Sequence, residues 1–349
     1  MFQFHNYQNN NLPFIHQKEN QKQNSNNNIN NYPLYKKIHS LNSEFLLKNH
    51  HKPIINNREQ RTISTTKTNR INTLNSLFNS EDELSKYIIG KELGKGAYAK
   101  VILITDKYTK KKYAMKIYEK IKLTDNSKKK SVLREIEIMK KVNHKNIVKL
   151  KEIIYTEKEI LIIMEYINGI SLREYYNKNI KNQLNLTKEK EKILKTYFIQ
   201  IFSAMGYLHR NHMSHRDIKL ENILLDKENE IKIIDFGFGI YNPENKLQNF
   251  FCGTPNYMSP EILNKKYYLS EKSDLWSLGI LFYKMCCADF PFKGKDEKEL
   301  FKVIKKGVFN YPNFIPSDIK NIINHLIVVD PNKRISCDDI LKFSWFIFN

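Results

Sequence analysis

Two glycines in Leu93-Gly94-Lys95-Gly96-Ala97-Tyr98-Ala99-Lys100-Val101 stand where a backbone could approach phosphate oxygens, because neither carries a Cβ. The turn opens into a strand and not a helix, so it is no dinucleotide fingerprint, and two glycines by themselves make only a turn. Further along, Tyr113-Ala114-Met115-Lys116 sets a lysine among apolar neighbours. Such a lysine is either a surface residue that snorkels or a buried cation that needs a counter-charge. Glu135, inside the next helical segment, is the natural partner, since an unpaired buried ammonium is costly. Downstream, His215-Arg216-Asp217-Ile218-Lys219-Leu220-Glu221-Asn222 concentrates charged and amide groups in eight residues, and Ile233-Ile234-Asp235-Phe236-Gly237 follows. The chemistry these residue types suit is the handling of phosphate.

The elements that must position them are legible from periodicity. Residues 87–93, 99–105 and 112–118 read as strands joined by Gly-rich or polar turns, and 153–155 and 160–166 are apolar runs of strand length. Residues 127–142 read as a helix with Val132, Ile136 and Met139 on one face. The period then changes: Ile193, Tyr197, Ile201, Met205 and Leu208 form a long buried helix stripe, and further helices are expected near 274–285 and 318–328. A strand-rich first part and a helix-rich second part predict an α+β fold of two lobes.

The chain has 349 residues and a formal charge of +21, enough length for two domains or for one large domain with an appendage. Composition changes near residue 86. Residues 1–86 hold 19 Asn and 6 Gln but no Gly, too few clustered apolar groups to offset ordering, and are expected to be mostly disordered. Within them Ile71, Leu74, Leu77 and Phe78 share a helical face, and Ser80 with Glu83 fits a capping box, so a short helix is expected within 71–85. The tail carries +5 and residues 87–349 carry +16, without a zinc-finger, RNA-recognition or homeodomain signature, so no specific nucleic-acid partner is expected. The four cysteines, Cys252, Cys286, Cys287 and Cys337, show no CxxC spacing, which excludes a disulfide framework and disfavours zinc. With no apolar leader at Met1–Asn11 and no membrane-length apolar run, the expectation is a cytoplasmic protein with nuclear access left open and no membrane association.

Taken in order and at these distances, the glycine turn, Lys116, the loop 215–222 and Asp235-Phe236-Gly237 resemble the eukaryotic protein kinases over about residues 87–346. The resemblance implies a small β-rich N-lobe with one helix and a larger helical C-lobe. It implies ATP and Mg2+ as cofactors, with Mn2+ as an alternative, protein substrates, and a monomer. In that family Asp217 would orient the substrate hydroxyl and take its proton, Lys219 would steady the γ-phosphate, and Lys116, paired with Glu135, would hold the α/β-phosphates. Asn222 and Asp235 would be the metal ligands. Leu93, Gly94, Lys95, Gly96, Ala97, Tyr98, Ala99, Lys100 and Val101 would cover the nucleotide. Val101, Ala114 and Leu224 would sandwich adenine beside Met164, with the backbone of Glu165 and Ile167 bonding its edge. Leu150, Met139, Phe236 and His215 would stack as one spine, and Glu261 would pair with Arg334. Lys219 and Gly253-Thr254-Pro255 resemble the serine/threonine type. Phe238 is associated in the family with serine acceptors. Arg134-Glu135-Ile136 and Cys252-Gly253-Thr254-Pro255-Asn256-Tyr257 resemble the calcium/calmodulin-dependent and AMP-activated kinase-like group.

Four departures shape the remaining expectations. Ala99 replaces the third glycine of the loop, a small change. Phe250 stands where relatives carry a phosphorylatable Thr that meets Arg216, so the activation segment is expected to be held by apolar docking of Phe250 and Phe251, without phosphorylation. Ser171 and Lys284 replace acidic residues that select arginine in basophilic relatives, and only Glu221 remains, so acidic or neutral substrates should be tolerated. The chain stops soon after the last helix of the domain, so calcium control through a C-terminal tail is not expected, and autophosphorylation, with Arg61-Thr62-Ile63-Ser64 as one site, is. The alternative is a scaffold that binds nucleotide and partners without turnover; Lys116, Glu135, Asp217, Asn222 and Asp235 all being present argues against it.

Overall fold

The computed structural model describes residues 80–96, 98–181 and 185–347. The expected stripe Ile71–Phe78, the site at 61–64 and Ala97 lie outside the described residues. A short helix α1 (Ser80–Ser85) leads into five strands, β1 (Tyr87–Lys95), β2 (Ala99–Asp106), β3 (Lys112–Glu119), β4 (Leu150–Tyr155) and β5 (Glu159–Glu165). They form one antiparallel sheet in the order β1-β2-β3-β5-β4.

Alternation along β3 decides what the sheet can do. Tyr113, Met115 and Ile117 point to one face and close a small core with Ile104, Ile154, Leu161 and Ile163. Ala114, Lys116 and Tyr118 therefore point to the other. Register extends that second face across three strands: Val101 lies opposite Lys116, Ala99 opposite Tyr118, and Met164 opposite Ala114. The helix α2 (Asn126–Lys141) packs its buried residues Val132, Glu135, Ile136, Ile138 and Met139 inward. It starts where the Asp125 carboxylate accepts from the Lys128 amide at 2.9 Å, a side-chain cap on an otherwise orphan donor.

The second lobe is helical. Small strands β6 (Gly169–Ser171), β8 (Ile223–Asp226) and β9 (Ile231–Ile233) make a three-stranded sheet, and β7 (Met213–Ser214) pairs with β10 (Ile240–Tyr241). Around them lie α3 (Leu172–Asn179), α4 (Lys188–Arg210), α5 (Pro260–Leu263), α6 (Ser270–Cys287), α7 (Glu297–Lys306), α8 (Ser317–Leu326) and α9 (Cys337–Ile340). Helix α6 is buried on nearly every side, as expected of a segment hydrophobic all round. The α4 stripe is buried from Tyr197 to Leu208, but Ile193 is 38% exposed: at that turn the neighbouring Leu194, 1% exposed, takes the core-facing position. The two lobes share a core, since Tyr118, Ile136, Met139 and Ile162 belong to the same buried cluster as Phe198, Phe236 and Trp276. Among the described residues no helix is long and apolar enough to cross a membrane.

Candidate active site

Lys116 reaches from β3 to two carboxylates. Its Nζ is 2.7 Å from Glu135 Oε1 and 2.8 Å from Asp235 Oδ1. Glu135 is 1% exposed, and its second oxygen accepts a short bond from the Tyr118 hydroxyl, two residues from Lys116 on the same face of β3. The Lys116 ammonium also sits 5.3 Å above the Tyr118 ring. Burial would lower the lysine's pKa, but Asp235 and Glu135 outweigh it and hold the ammonium charged well above its ordinary range. Reciprocally, Lys116 holds the Asp235 carboxyl down at about 2.

The loop 215–222 is fixed from beneath. Asp274, fully buried on α6, accepts from the amides of His215 at 2.8 Å and Arg216 at 2.7 Å. That clamp holds Arg216 at φ +65°, a left-handed conformation that costs a non-glycine residue of order 1–3 kcal/mol. Asp235 is left-handed too, at φ +68°. Around Asp217, Oδ1 accepts from the Thr254 hydroxyl at 2.8 Å and Oδ2 is 2.7 Å from Lys219 Nζ. Lys219 also bonds Thr254 Oγ at 2.9 Å. Asn222 donates its side-chain amide to the Asp217 carbonyl at 2.9 Å. Its amide nitrogen being committed there, the Asn222 side-chain oxygen and the Asp235 oxygen not bound by Lys116 have no hydrogen-bond partner among the described residues, and both are hard oxygen donors that fit Mg2+.

On the apolar side, Val101, Ala114 and Met164 share the face that carries Lys116, while Leu224 sits mid-sheet on β8, opposite Ser171. The Glu165 side chain turns away to Lys232 at 2.8 Å and the Lys149 amide at 2.9 Å, and its own N–H donates to the Lys149 carbonyl at 2.9 Å. Ile167, just past β5, makes no backbone hydrogen bond to other described residues. Cβ atoms on Gly94 and Gly96 would meet nothing closer than 3.5 Å, so these glycines keep space over the sheet and do not relieve a clash. Leu93 is half-buried at the end of β1, Lys95 and Tyr98 are exposed, and the Tyr98 ring lies 4.8 Å beneath Lys128 at the start of α2. Ala99 and Lys100 begin β2.

Residues 87–346 match the family model for the protein kinase domain. The chain belongs to the protein kinase family. Among curated proteins it is 34% identical over 266 residues to CBL-interacting serine/threonine-protein kinase 12 of Arabidopsis thaliana, covering 75% of this chain and 53% of that one. The chain thus spans about half the length of the curated relative it matches. Of the expected spine, the His215 and Phe236 rings are 5.2 Å apart, while Met139 belongs to the same buried core as Phe236 and Leu150 packs against that core. Glu261 and Arg334 form a buried two-pronged pair at 2.7 and 2.8 Å. Motif reading passed over Tyr118, whose signal was its two-residue spacing from Lys116; it marked Asp274 as the start of a helix but not the service of its buried carboxylate to backbone amides. One expectation is corrected. Phe250 and Phe251 are 45% and 50% exposed, so apolar burial does not hold the activation segment. Polar and ring contacts do: Tyr268 donates to the Phe250 carbonyl at 2.8 Å, Gln248 pairs with Tyr268, Phe251 meets Phe301 edge-on at 6.4 Å, and the Arg216 guanidinium stacks 5.5 Å over Phe250.

Proposed function

We propose that this kinase is catalytically active and transfers the γ-phosphoryl group of ATP to serine and threonine hydroxyls of proteins, serine preferred. The observation that carries the reading is Asp217, held between Lys219, Thr254 and Asn222 with its carboxylate oriented by three donors. In the reaction Asp217 accepts the hydroxyl proton as the substrate oxygen bonds to the γ-phosphorus. The bond from that phosphorus to the β,γ-bridging oxygen breaks, and its electron pair leaves with ADP. Lys219, within reach of both Asp217 and Thr254, offers positive charge where it builds on the transferring group. Lys116, braced by Glu135, positions the inner phosphates, and the glycine loop and the Val101, Ala114 and Leu224 side chains orient the nucleotide. Asn222 and Asp235 would hold Mg2+, which neutralises phosphate charge when bound. The catalytic domain spans 87–346, and the chain acts as a cytoplasmic monomer with Mn2+ as an alternative metal.

The same reading makes the enzyme independent of activation-loop phosphorylation and able to phosphorylate itself. Arg216, whose partner in relatives is a phosphate, here has an aromatic face and the Phe238 carbonyl, accepting from its Nε at 2.6 Å. The test is purified protein with Mg-ATP, with and without Asp217→Asn, every phosphorylated residue mapped. Asn is nearly isosteric but cannot take the proton, so transfer should fall by at least about a hundredfold while nucleotide still raises the melting temperature. Equal transfer by both proteins would refute the assignment.

A further inference from the structure

Beside the catalytic loop lies a cluster of charges that the transfer chemistry does not use. Glu221, four residues after Asp217, gives one oxygen to Arg173 of α3 in a short ion pair. Its other oxygen is buried and has no hydrogen-bond partner. Neither oxygen is therefore open to an incoming cation. The Arg173 side chain is 55% exposed, and among the described residues its other N–H groups have no partner beyond that pair. On α6, the Lys284 ammonium lies 3.5 Å over the Phe290 ring and 4.9 Å from the ring of Tyr176, one turn after Arg173 on α3, with no carboxylate within ion-pair distance among the described residues. The nearest acids are committed elsewhere, Glu221 to Arg173 and Asp289 to Lys293. Lys284 is half-buried, and burial pushes its pKa down to about 8, with Glu221 and Asp289 opposing that fall and Arg173 and Lys181 adding to it. An ammonium held so lacks an anion. The cluster adjoins the reacting residues, because Arg173 is ion-paired to Glu221, which lies in the same loop as Asp217 and directly precedes Asn222.

We propose that Arg173 and Lys284 form an anion subsite that selects substrates with a carboxylate or phosphorylated side chain near the acceptor hydroxyl. The inference rests on the kinase reading above and names its substrate class. Geometry favours Arg173 as the two-pronged donor and Lys284 as the point charge, a combination suited to carboxylate and phosphate alike.

The test uses the full chain and positional peptide libraries with a serine acceptor, each flanking position fixed in turn as Asp, phosphoserine, Ala or Arg. At one or more positions Asp, phosphoserine or both should be preferred over Ala by about fivefold to tenfold, the effect of a charge-assisted contact in a half-exposed site. The Asp and phosphoserine arms tell carboxylate from phosphate recognition. Lys284→Glu should reverse the preference toward Arg at that position. Lys284→Met, which retains an apolar stem over Phe290, should erase it without reversal, so misfolding of the first variant does not end the test. Arg173→Ala should release Glu221 and raise Arg acceptance. Strong Arg selection by the unaltered chain, or a Lys284→Met profile identical to it, would overturn the subsite. Transfer with no positional preference for an anion would overturn it and leave the kinase reading standing. Absence of both peptide transfer and autophosphorylation would instead sink the kinase reading, and the subsite with it.

Discussion

Tyr118→Phe should damage the kinase out of proportion to the single oxygen it removes. The hydroxyl is the donor to the inner oxygen of Glu135, a carboxylate 1% exposed. Without it, that oxygen is buried with no donor, a loss of about 1–3 kcal/mol. Lys116 still binds the other oxygen at 2.7 Å, which keeps the loss below that of an isolated buried charge. For a domain of this size each kcal/mol moves the melting temperature by about 2–4 °C, so a fall of roughly 2–12 °C is expected. Function should follow: a carboxylate free to turn lets Lys116 shift toward Asp235 alone, and the Michaelis constant for ATP should rise about threefold to tenfold, with a smaller change in kcat. Tyr113→Phe is the matched control. Its ring lies on the opposite face of β3, against Tyr87, and its hydroxyl has no hydrogen-bond partner among the described residues. Scanning fluorimetry and steady-state kinetics on both variants decide the matter. If Tyr118→Phe and Tyr113→Phe melt together and share the unaltered Michaelis constant, Tyr118 is not what braces the ion pair.

Enzyme made in bacteria and stripped with phosphatase should stay active, because Arg216 is engaged by Phe250 and Phe238 without phosphate; loss of more than about tenfold in peptide transfer would contradict this. Glu261→Ala leaves the fully buried Arg334 guanidinium without its counter-charge and should cost about 3–5 kcal/mol, read as a melting temperature lower by around 10 °C. The pH dependence of the Lys116–Asp235 contact has a definite sign. The native Asp235 pKa of about 2 lies below its ordinary 3.8, so its stabilisation is complete above 3.8 and is lost as pH falls toward 2. Denaturant melts should therefore show a constant stability gap between the unaltered chain and Asp235→Asn from pH 8 to 5, narrowing only below about 4.

The site was readable where chemistry restricts residue type. Phosphate contact calls for glycine, a buried strand lysine calls for an acid, and the strand period alone puts Ala114 and Lys116 on one face of β3, whereas Val101 joins that face only through the register of β2 on β3. What escaped was whatever depends on three-dimensional neighbours. Nothing in the order of residues shows that Tyr118 aims its hydroxyl at Glu135, because a tyrosine on a strand is equally at home in a core. Asp274 looks like an ordinary start of a buried helix until its two oxygens are seen on the amides of His215 and Arg216. Phe250 and Phe251 misled in the other direction: apolar type suggests burial, but what covers a loop residue is set by elements far away in sequence, here leaving both half-exposed.

The activation segment also shows why its aromatic residue matters electrostatically. Arg216 is almost fully buried, with Arg134 of α2 close enough that burial first, and the Arg216 charge second, lower the pKa of Arg134. Among the described residues no carboxylate lies within ion-pair distance of either guanidinium. Two like charges partly removed from water repel, and an ordinary kinase of this type would answer with a phosphate. Here the answer is weaker and permanent: a ring face worth about 0.5–2 kcal/mol, one carbonyl accepting at 2.6 Å, and the Tyr268 anchor on the Phe250 backbone. A phosphate contact can be removed by a phosphatase, whereas a phenylalanine cannot. On the reading proposed above, Phe250 exchanges strength for constancy, and control of this kinase would then act elsewhere than the segment that most directly touches Arg216.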